Sequence, residues 1–193
     1  MVIPMDVLLL SPYPETLIPI LRKGSDVRVT TTDAEISSCP DTEFIVVYGY
    51  KHILRDPILS KFSGRVINLH VSLLPWNRGY DPNFWSWLEN TPKGISIHQV
   101  DSGIDTGPIL VQESAVLGGD DETLKTSYWK LRRQIESLFA RKWPYICNGD
   151  IEPQEQQGLG SFHLAKDRLP YFTEMPLGWD TPVRILEEWS SKR

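Results

Sequence analysis

The sequence has little of what marks a disulfide-stapled, membrane-spanning or nucleic-acid-binding chain. Only two of its 193 residues are cysteine. Cys39 and Cys147 lie far apart with no CxxC or Cys/His spacing, so neither a disulfide framework nor a zinc site is indicated, and buried thiols are expected. Positive charge is also scarce: 20 Lys and Arg stand against 25 Asp and Glu, a net charge of −5. No basic stripe is present that could neutralise a run of phosphates, which argues against nucleic acid as a partner. Apolar runs such as VLLL at 7–10 fall far short of the roughly 20 residues that span a bilayer, and Pro4 and Asp6 break any leader-like pattern. A soluble, cytoplasmic protein with no membrane partner is expected.

What is present reads as an ordinary globular chain, 40% apolar and 23% charged, long enough to bury a core. MDVLLLS is a short apolar run, and PETLIPILRKG follows with helix-like spacing before a Gly24 stop. DVRVTTT and EFIVVYGY read as strands, the latter nearly continuous in apolar residues, as in a strand covered on both faces. AEISSCPDT between them carries a short helix pattern. DPILSKFSG gives another brief helix, and RVINLH a fourth strand. Strands alternating with helices imply an α/β fold, Rossmann-like, with a mainly parallel twisted sheet and helices on both faces.

After residue 70 the pattern changes to a loop, VSLLPWNRGYDPN, followed by a compact helix DPNFWSWLEN that Asp81 can cap with Pro82 at its first position. GISIHQVD and PILVQESAVL read as strands joined by SGIDTG. The longest helix, GDDETLKTSYWKLRRQIESLFARKW, opens with acidic residues at 120–122, suited to a helix N-terminus, and stops at Asn148-Gly149. One domain over 1–150 is expected. The tail over 151–193, poor in regular pattern and without a second core, is expected to pack on it.

Ligands of parallel α/β sheets sit beyond the carboxyl ends of the strands. Asn68 and His70 lie at such an end, and their spacing of two puts both side chains on one strand face. Asp105, in the SGIDTG connection where Gly103 and Gly107 permit close backbone approach, is the candidate third member. A histidine oriented by a carboxylate can move a proton, and an asparagine amide can donate to an oxygen gaining negative charge. With no Ser or Cys nucleophile in the set, direct transfer of an acyl-like group to an amine suits these types. A purely structural role for Asn68 and His70 remains open on the residues alone.

The run NLHVSLLPWNRG, with GISIHQVDSGIDTGPIL after it, closely resembles formyltransferases that use 10-formyltetrahydrofolate. LPWNRGYDPNFWSW, TPKG and GSFHLAKDR resemble most the branch holding nucleotide-sugar N-formyltransferases and the formylation domains of nonribosomal peptide synthetases. The resemblance runs from about residue 44 to 168. It implies that Asn68, His70 and Asp105 are the catalytic trio of a formyltransferase domain spanning 1–150. It also implies that the backbone of His52, Ile53 and Leu54 lines a pteridine pocket, with Val100, Asp101, Ser102, Gly103 and Ile104 closing over the pterin edge. The co-substrate implied is 10-formyltetrahydrofolate, with no metal, and the partner a small-molecule amine, a nucleotide-linked amino sugar or an amino acid or peptide-pathway amine. A homodimer is left open. A 10-formyltetrahydrofolate hydrolase, or a folate-binding protein whose acceptor site has decayed, are the rival readings.

Two departures stand out. Val71 occupies the place where the family usually has proline, which loosens the backbone after His70. LLLSPYPET lacks the glycine-rich phosphate loop of glycinamide ribonucleotide formyltransferases, which argues against a purine-synthesis substrate. Three residues are candidates for binding the acceptor. Trp76 could stack on a sugar or base; Arg78 could pair with an anion or tether its loop to a carboxylate; His98 could line the amine pocket or be a satisfied core histidine. Trp85 suits the core, and His163, Lys166 and Asp167 are expected to brace the tail.

Overall fold

The structure, a computed structural model, describes residues 5–23, 27–31, 42–119 and 121–191. A six-stranded sheet runs in the order β2-β1-β3-β4-β6-β7. Its members are β1 (Met5–Leu10), β2 (Val27–Thr31), β3 (Phe44–Val47), β4 (Val66–His70), β6 (Gly94–Gln99) and β7 (Ile109–Ser114). β1 pairs in parallel with both β2 and β3, and β3 with β4. The expected Rossmann-like α/β arrangement is therefore the one observed, and the Val47↔Asn68 register sets Asn68 against the last residue of β3.

Alternation along β1 and β3 explains their continuous apolar runs. Leu8, Leu10, Ile45 and Val47 enter one cluster with Leu54, Phe62 and Val66. Phe44, one residue out of phase, meets the edge of Trp143 at a ring separation of 5.3 Å. Helix α1 (Pro14–Arg22) starts on a proline and buries Leu17 and Leu21. Trp143 donates its indole N–H to the Leu21 carbonyl at 3.1 Å, so the largest buried ring also has its polar atom satisfied. The Gly24 stop and the helix pattern in AEISSCPDT, with Cys39, fall outside the described residues.

Two compact units emerge: Met1–His70 with Ile97–Val111 and Ile135–Glu155, and Val71–Ser96 with Gln112–Gln134 and Gln156–Arg193. The first holds β1 to β4, α1 and the short α2 (Ile58–Lys61), with the second half of β6 and the first half of β7. The second holds β5 (Arg78–Gly79), α3 (Pro82–Leu88), β8 (Phe162–His163), α5 (Leu169–Phe172) and α6 (Val183–Ser190). Helix α4 (Leu124–Cys147) contributes residues to both. It ends as the Asn148-Gly149 pair predicts: Gly149 takes a φ of 75°, its N–H reaches the Ile146 carbonyl at 3.1 Å, and the Asp150 N–H reaches Tyr145 at 2.9 Å.

Four expectations change. The predicted loop after residue 70 contains β5, which pairs in parallel with β8. Asp81 stands at the N-cap of α3 in the left-handed region, φ 52° and ψ 52°, and makes no capping hydrogen bond. Capping needs an extended N-cap residue whose side chain folds back on the first turn; the Asp81 carboxylate pairs with Arg168 instead. The tail, expected to lack regular pattern, carries β8, α5 and α6. Its Met175, Val183 and Leu186 are buried with Phe84, Trp85, Trp87, Leu88 and Leu124. Cys147, expected to be buried, is only half-buried, with its thiol 3.4 Å from the Pro144 carbonyl.

Candidate active site

Asn68 and His70 are the third and fifth residues of β4 and share a strand face, as their spacing requires. Asp105 arrives from the β6–β7 connection with a φ of 54°, a conformation that non-glycine residues adopt rarely. The connection is held in shape locally. Asp101 Oδ1 accepts from the Gly103 N–H at 3.0 Å and from the Thr106 hydroxyl at 2.7 Å. A Cβ on Gly103 would overlap the Thr106 hydroxyl, and one on Gly107 the Gln99 carbonyl oxygen. Both positions demand glycine for space, and the loop so compressed delivers Asp105 to β4.

The three expected side chains meet in the first unit. Asn68 Nδ2 donates to Asp105 Oδ1 at 3.1 Å. The other carboxylate oxygen, Oδ2, lies 3.6 Å from His70 Nδ1. His70 is 7% exposed, so the pair sits where charge is poorly screened and interacts more strongly than at the surface.

A fourth side chain joins them. His98, on β6, is 1% exposed and turns its imidazole toward the trio. Its Nε2 is 3.4 Å from Asp105 Oδ1 and 3.3 Å from Asn68 Nδ2, and its Nδ1 is 2.7 Å from the Gln99 carbonyl. Of the two roles left open for it, a satisfied buried histidine describes its burial better than a lining of an acceptor pocket. The Asp101–Thr106 bond was not anticipated, although an Asp two residues before a glycine is a readable signal for a turn closed by the side chain.

Two of the residues expected near the folate belong to the apolar cluster that also holds Leu8, Ile45 and Phe62. Leu54 is buried in it, and Val100 packs against it from the other loop. Ile53 is 52% exposed, and His52 is exposed with its ring 5.2 Å from Tyr50. The Val100 N–H is spent on the Val66 carbonyl at 2.8 Å.

Trp76 and Arg78 belong to the second unit. Trp76 is 36% exposed. Arg78 donates from Nε and Nη2 to Gln156 Oε1 at 3.0 and 2.7 Å, so of its two open roles the tether is seen, made to a carboxamide rather than a carboxylate. Trp85 is core, and His163 stacks on it at 3.8 Å with an interplanar angle of 7° while facing Glu89 at 3.2 Å. Asp167 accepts the Leu164 N–H at 2.7 Å. His163 and Asp167 thus brace the tail as expected.

The formyl transferase family model matches residues 30–142, more than half of the chain and inclusive of all four side chains of the cluster. The chain belongs to the formyl transferase family. The formyltransferase PseJ from Anoxybacillus kamchatkensis, crystallised in complex with UDP-4,6-dideoxy-4-formamido-L-AltNAc and tetrahydrofolate, is 41% identical. The match covers 96% of this chain and 99% of PseJ, with a TM-score of 0.90. Phosphoribosylglycinamide formyltransferase of Bacillus subtilis is 34% identical over 107 residues, 55% of this chain and 52% of the relative. Methionyl-tRNA formyltransferase of Halorhodospira halophila is 31% identical over 140 residues, 72% of this chain and 45% of the relative. The chain therefore spans about half the length of those two curated relatives. Among its described residues, no helix is long and apolar enough to cross a membrane.

Proposed function

We propose that this chain moves the formyl group of 10-formyltetrahydrofolate to the primary amine of a nucleotide-linked amino sugar. The convergence of Asn68, His70 and Asp105 carries the reading. The likeness over nearly full length to a formyltransferase crystallised with a UDP-linked formamido sugar and tetrahydrofolate supports the acceptor class. Folate supplies an activated formyl carbon, on which the amine nitrogen forms a C–N bond as the bond to the folate nitrogen breaks.

The chain's residues have three tasks in that exchange. His70 accepts the proton that the attacking amine must lose, and returns one to the departing folate nitrogen. Asp105, 3.6 Å from His70 Nδ1, orients the ring and favours its charged form. An Asn68 N–H meets the formyl oxygen as it gains charge. The proton balance closes on formamide and tetrahydrofolate with no group left over.

The loops 52–54 and 100–104 are the folate walls in this reading. Backbone groups there can read the pterin edge, which fits the exposure of His52 and Ile53 beside a buried Leu54. Trp76 is the acceptor-stacking candidate, since its ring is part exposed.

Incubating the protein with 10-formyltetrahydrofolate and a panel of UDP-linked amino sugars and free amino acids, with products followed by mass spectrometry, tests the reading. Formamido product from a nucleotide sugar is expected. Release of formate independent of any amine would mark a hydrolase, and folate binding without turnover a decayed enzyme; either result overturns the proposal.

A further inference from the structure

In its neutral form, the buried imidazole of His98 has one tautomer that its surroundings favour. A carbonyl oxygen can only accept, so the 2.7 Å approach of Nδ1 to the Gln99 carbonyl places the proton on Nδ1. In the neutral ring Nε2 is then a bare lone pair and needs a donor. Its two polar neighbours are Asp105 Oδ1 at 3.4 Å and Asn68 Nδ2 at 3.3 Å. A carboxylate has no proton to give. Nε2 therefore accepts from Asn68.

Asn68 Nδ2 also donates to Asp105 Oδ1 at 3.1 Å, so both protons of the amide nitrogen are directed into the cluster. Turning the amide over would set its oxygen against a carboxylate oxygen and an imidazole lone pair, two repulsive contacts in place of two bonds. His98 and Asp105 together fix which end of Asn68 faces the reaction.

We propose that His98 is the positioning residue of the formyl-transfer site. It holds one Asn68 N–H throughout and so selects the other, the one now on Asp105, as the donor presented to the formyl oxygen. When the formyl oxygen takes that N–H in place of Asp105 Oδ1, the carboxylate is left to His70, already 3.6 Å away at Nδ1. One small exchange thereby arms the oxygen-binding group and the proton carrier together. No bond to His98 is made or broken in the reaction. The inference rests on the formyl-transfer reading for its catalytic consequence, while the tautomer and the amide orientation stand on geometry alone.

The test has a kinetic arm and a spectroscopic arm. His98→Leu removes the acceptor at similar bulk; kcat is expected to fall about 10- to 100-fold, less than the loss from removing an oxyanion donor outright, with KM for both substrates within about two-fold. His98→Gln, whose side-chain oxygen can accept from Asn68, is expected to recover most of that loss. If His98→Leu turns over within about three-fold of the parent, or if both variants lose equally through KM, the positioning role is overturned.

The spectroscopic arm uses ligand-free protein labelled with 15N in histidine and asparagine. At mildly alkaline pH, His98 is expected to show a protonated Nδ1 and a bare Nε2, and the Asn68 amide protons to shift in the Gln variant relative to the parent. A protonated Nε2 beside a bare Nδ1 overturns the proposal whether or not the protein transfers formyl groups. Absence of turnover in the parent, with the expected tautomer, would defeat the reaction assignment while leaving the positioning of Asn68 intact. Should His98→Leu fail to fold, His98→Gln and the parent spectrum still decide.

Discussion

At the scale of single residues, the proposed reaction makes unequal demands on Asn68, His70 and Asp105. His70→Ala removes the proton carrier and should lower kcat by about 10²- to 10⁴-fold. Asn68→Ala removes an N–H aimed at developing charge and should cost about 10²- to 10³-fold. Asp105→Asn keeps the size at that position while deleting the charge, so its loss, compared with Asp105→Ala, separates electrostatics from packing. Steady-state kinetics on folded variants, confirmed by unchanged circular dichroism, measures all four; turnover at the parent rate in His70→Ala would remove the mechanism.

Glu122 makes a different prediction at the same scale. Burial alone would raise its carboxyl, but hydrogen bonds from Lys130 Nζ at 2.5 Å, the Thr126 hydroxyl at 2.5 Å and the Gly118 N–H at 3.3 Å outweigh burial and hold it below the ordinary glutamate range. A depressed folded value means that the unfolded chain binds the proton more readily, so stability from this group is complete above the ordinary value and disappears as pH falls through the folded one. Glu122→Gln should therefore cost about 1–3 kcal/mol at neutral pH. The gap between variant and parent should close well below the ordinary glutamate pKa of about 4.3. Melting curves at both pH values check it; a gap that persists in acid would assign the loss to packing instead.

At the scale of elements, the β6–β7 connection is the part on which the site depends most. Its reach is set by Gly107, which lies against the Gln99 carbonyl so closely that a methyl group cannot enter without moving backbone. Gly107→Ala should cost about 1–3 kcal/mol, the usual range for overpacking, and should weaken activity further because the displaced loop carries Asp105. A variant of unchanged melting temperature and activity would show that the loop yields. Asn68, His70 and Asp105 were legible as residue types, and β4 as a strand, because spacing by two is a local signal. Their meeting was not legible from periodicity, since Asp105 reaches β4 through strand pairing and a left-handed residue. Nor was β5, two residues long, whose pairing with β8 joins positions far apart in the chain. The eight residues of α6 are too few for a clear period, although Val183 and Leu186, three apart, are both buried.

At the scale of the whole molecule, each compact unit is assembled from three separated stretches of chain, and no linker-like composition marks where the chain passes from one to the other. Stability in the second unit consequently rests on long-range packing: α3 supplies Phe84, Trp85, Trp87 and Leu88, while Met175, Val183 and Leu186 come from about ninety residues later in the sequence. Leu186 is fully buried there. Leu186→Ala should cost about 2–5 kcal/mol, combining lost transfer energy with a cavity that the aromatic neighbours cannot fill. The urea midpoint should fall at constant slope if the whole chain unfolds as one unit. A second, earlier transition in the variant would instead show that α6 and its partners open before the parallel sheet. Following Trp and Tyr fluorescence alongside far-ultraviolet circular dichroism distinguishes the outcomes, because coincident curves require a single transition. A midpoint equal to that of the parent would show that α6 contributes no net stability through this contact.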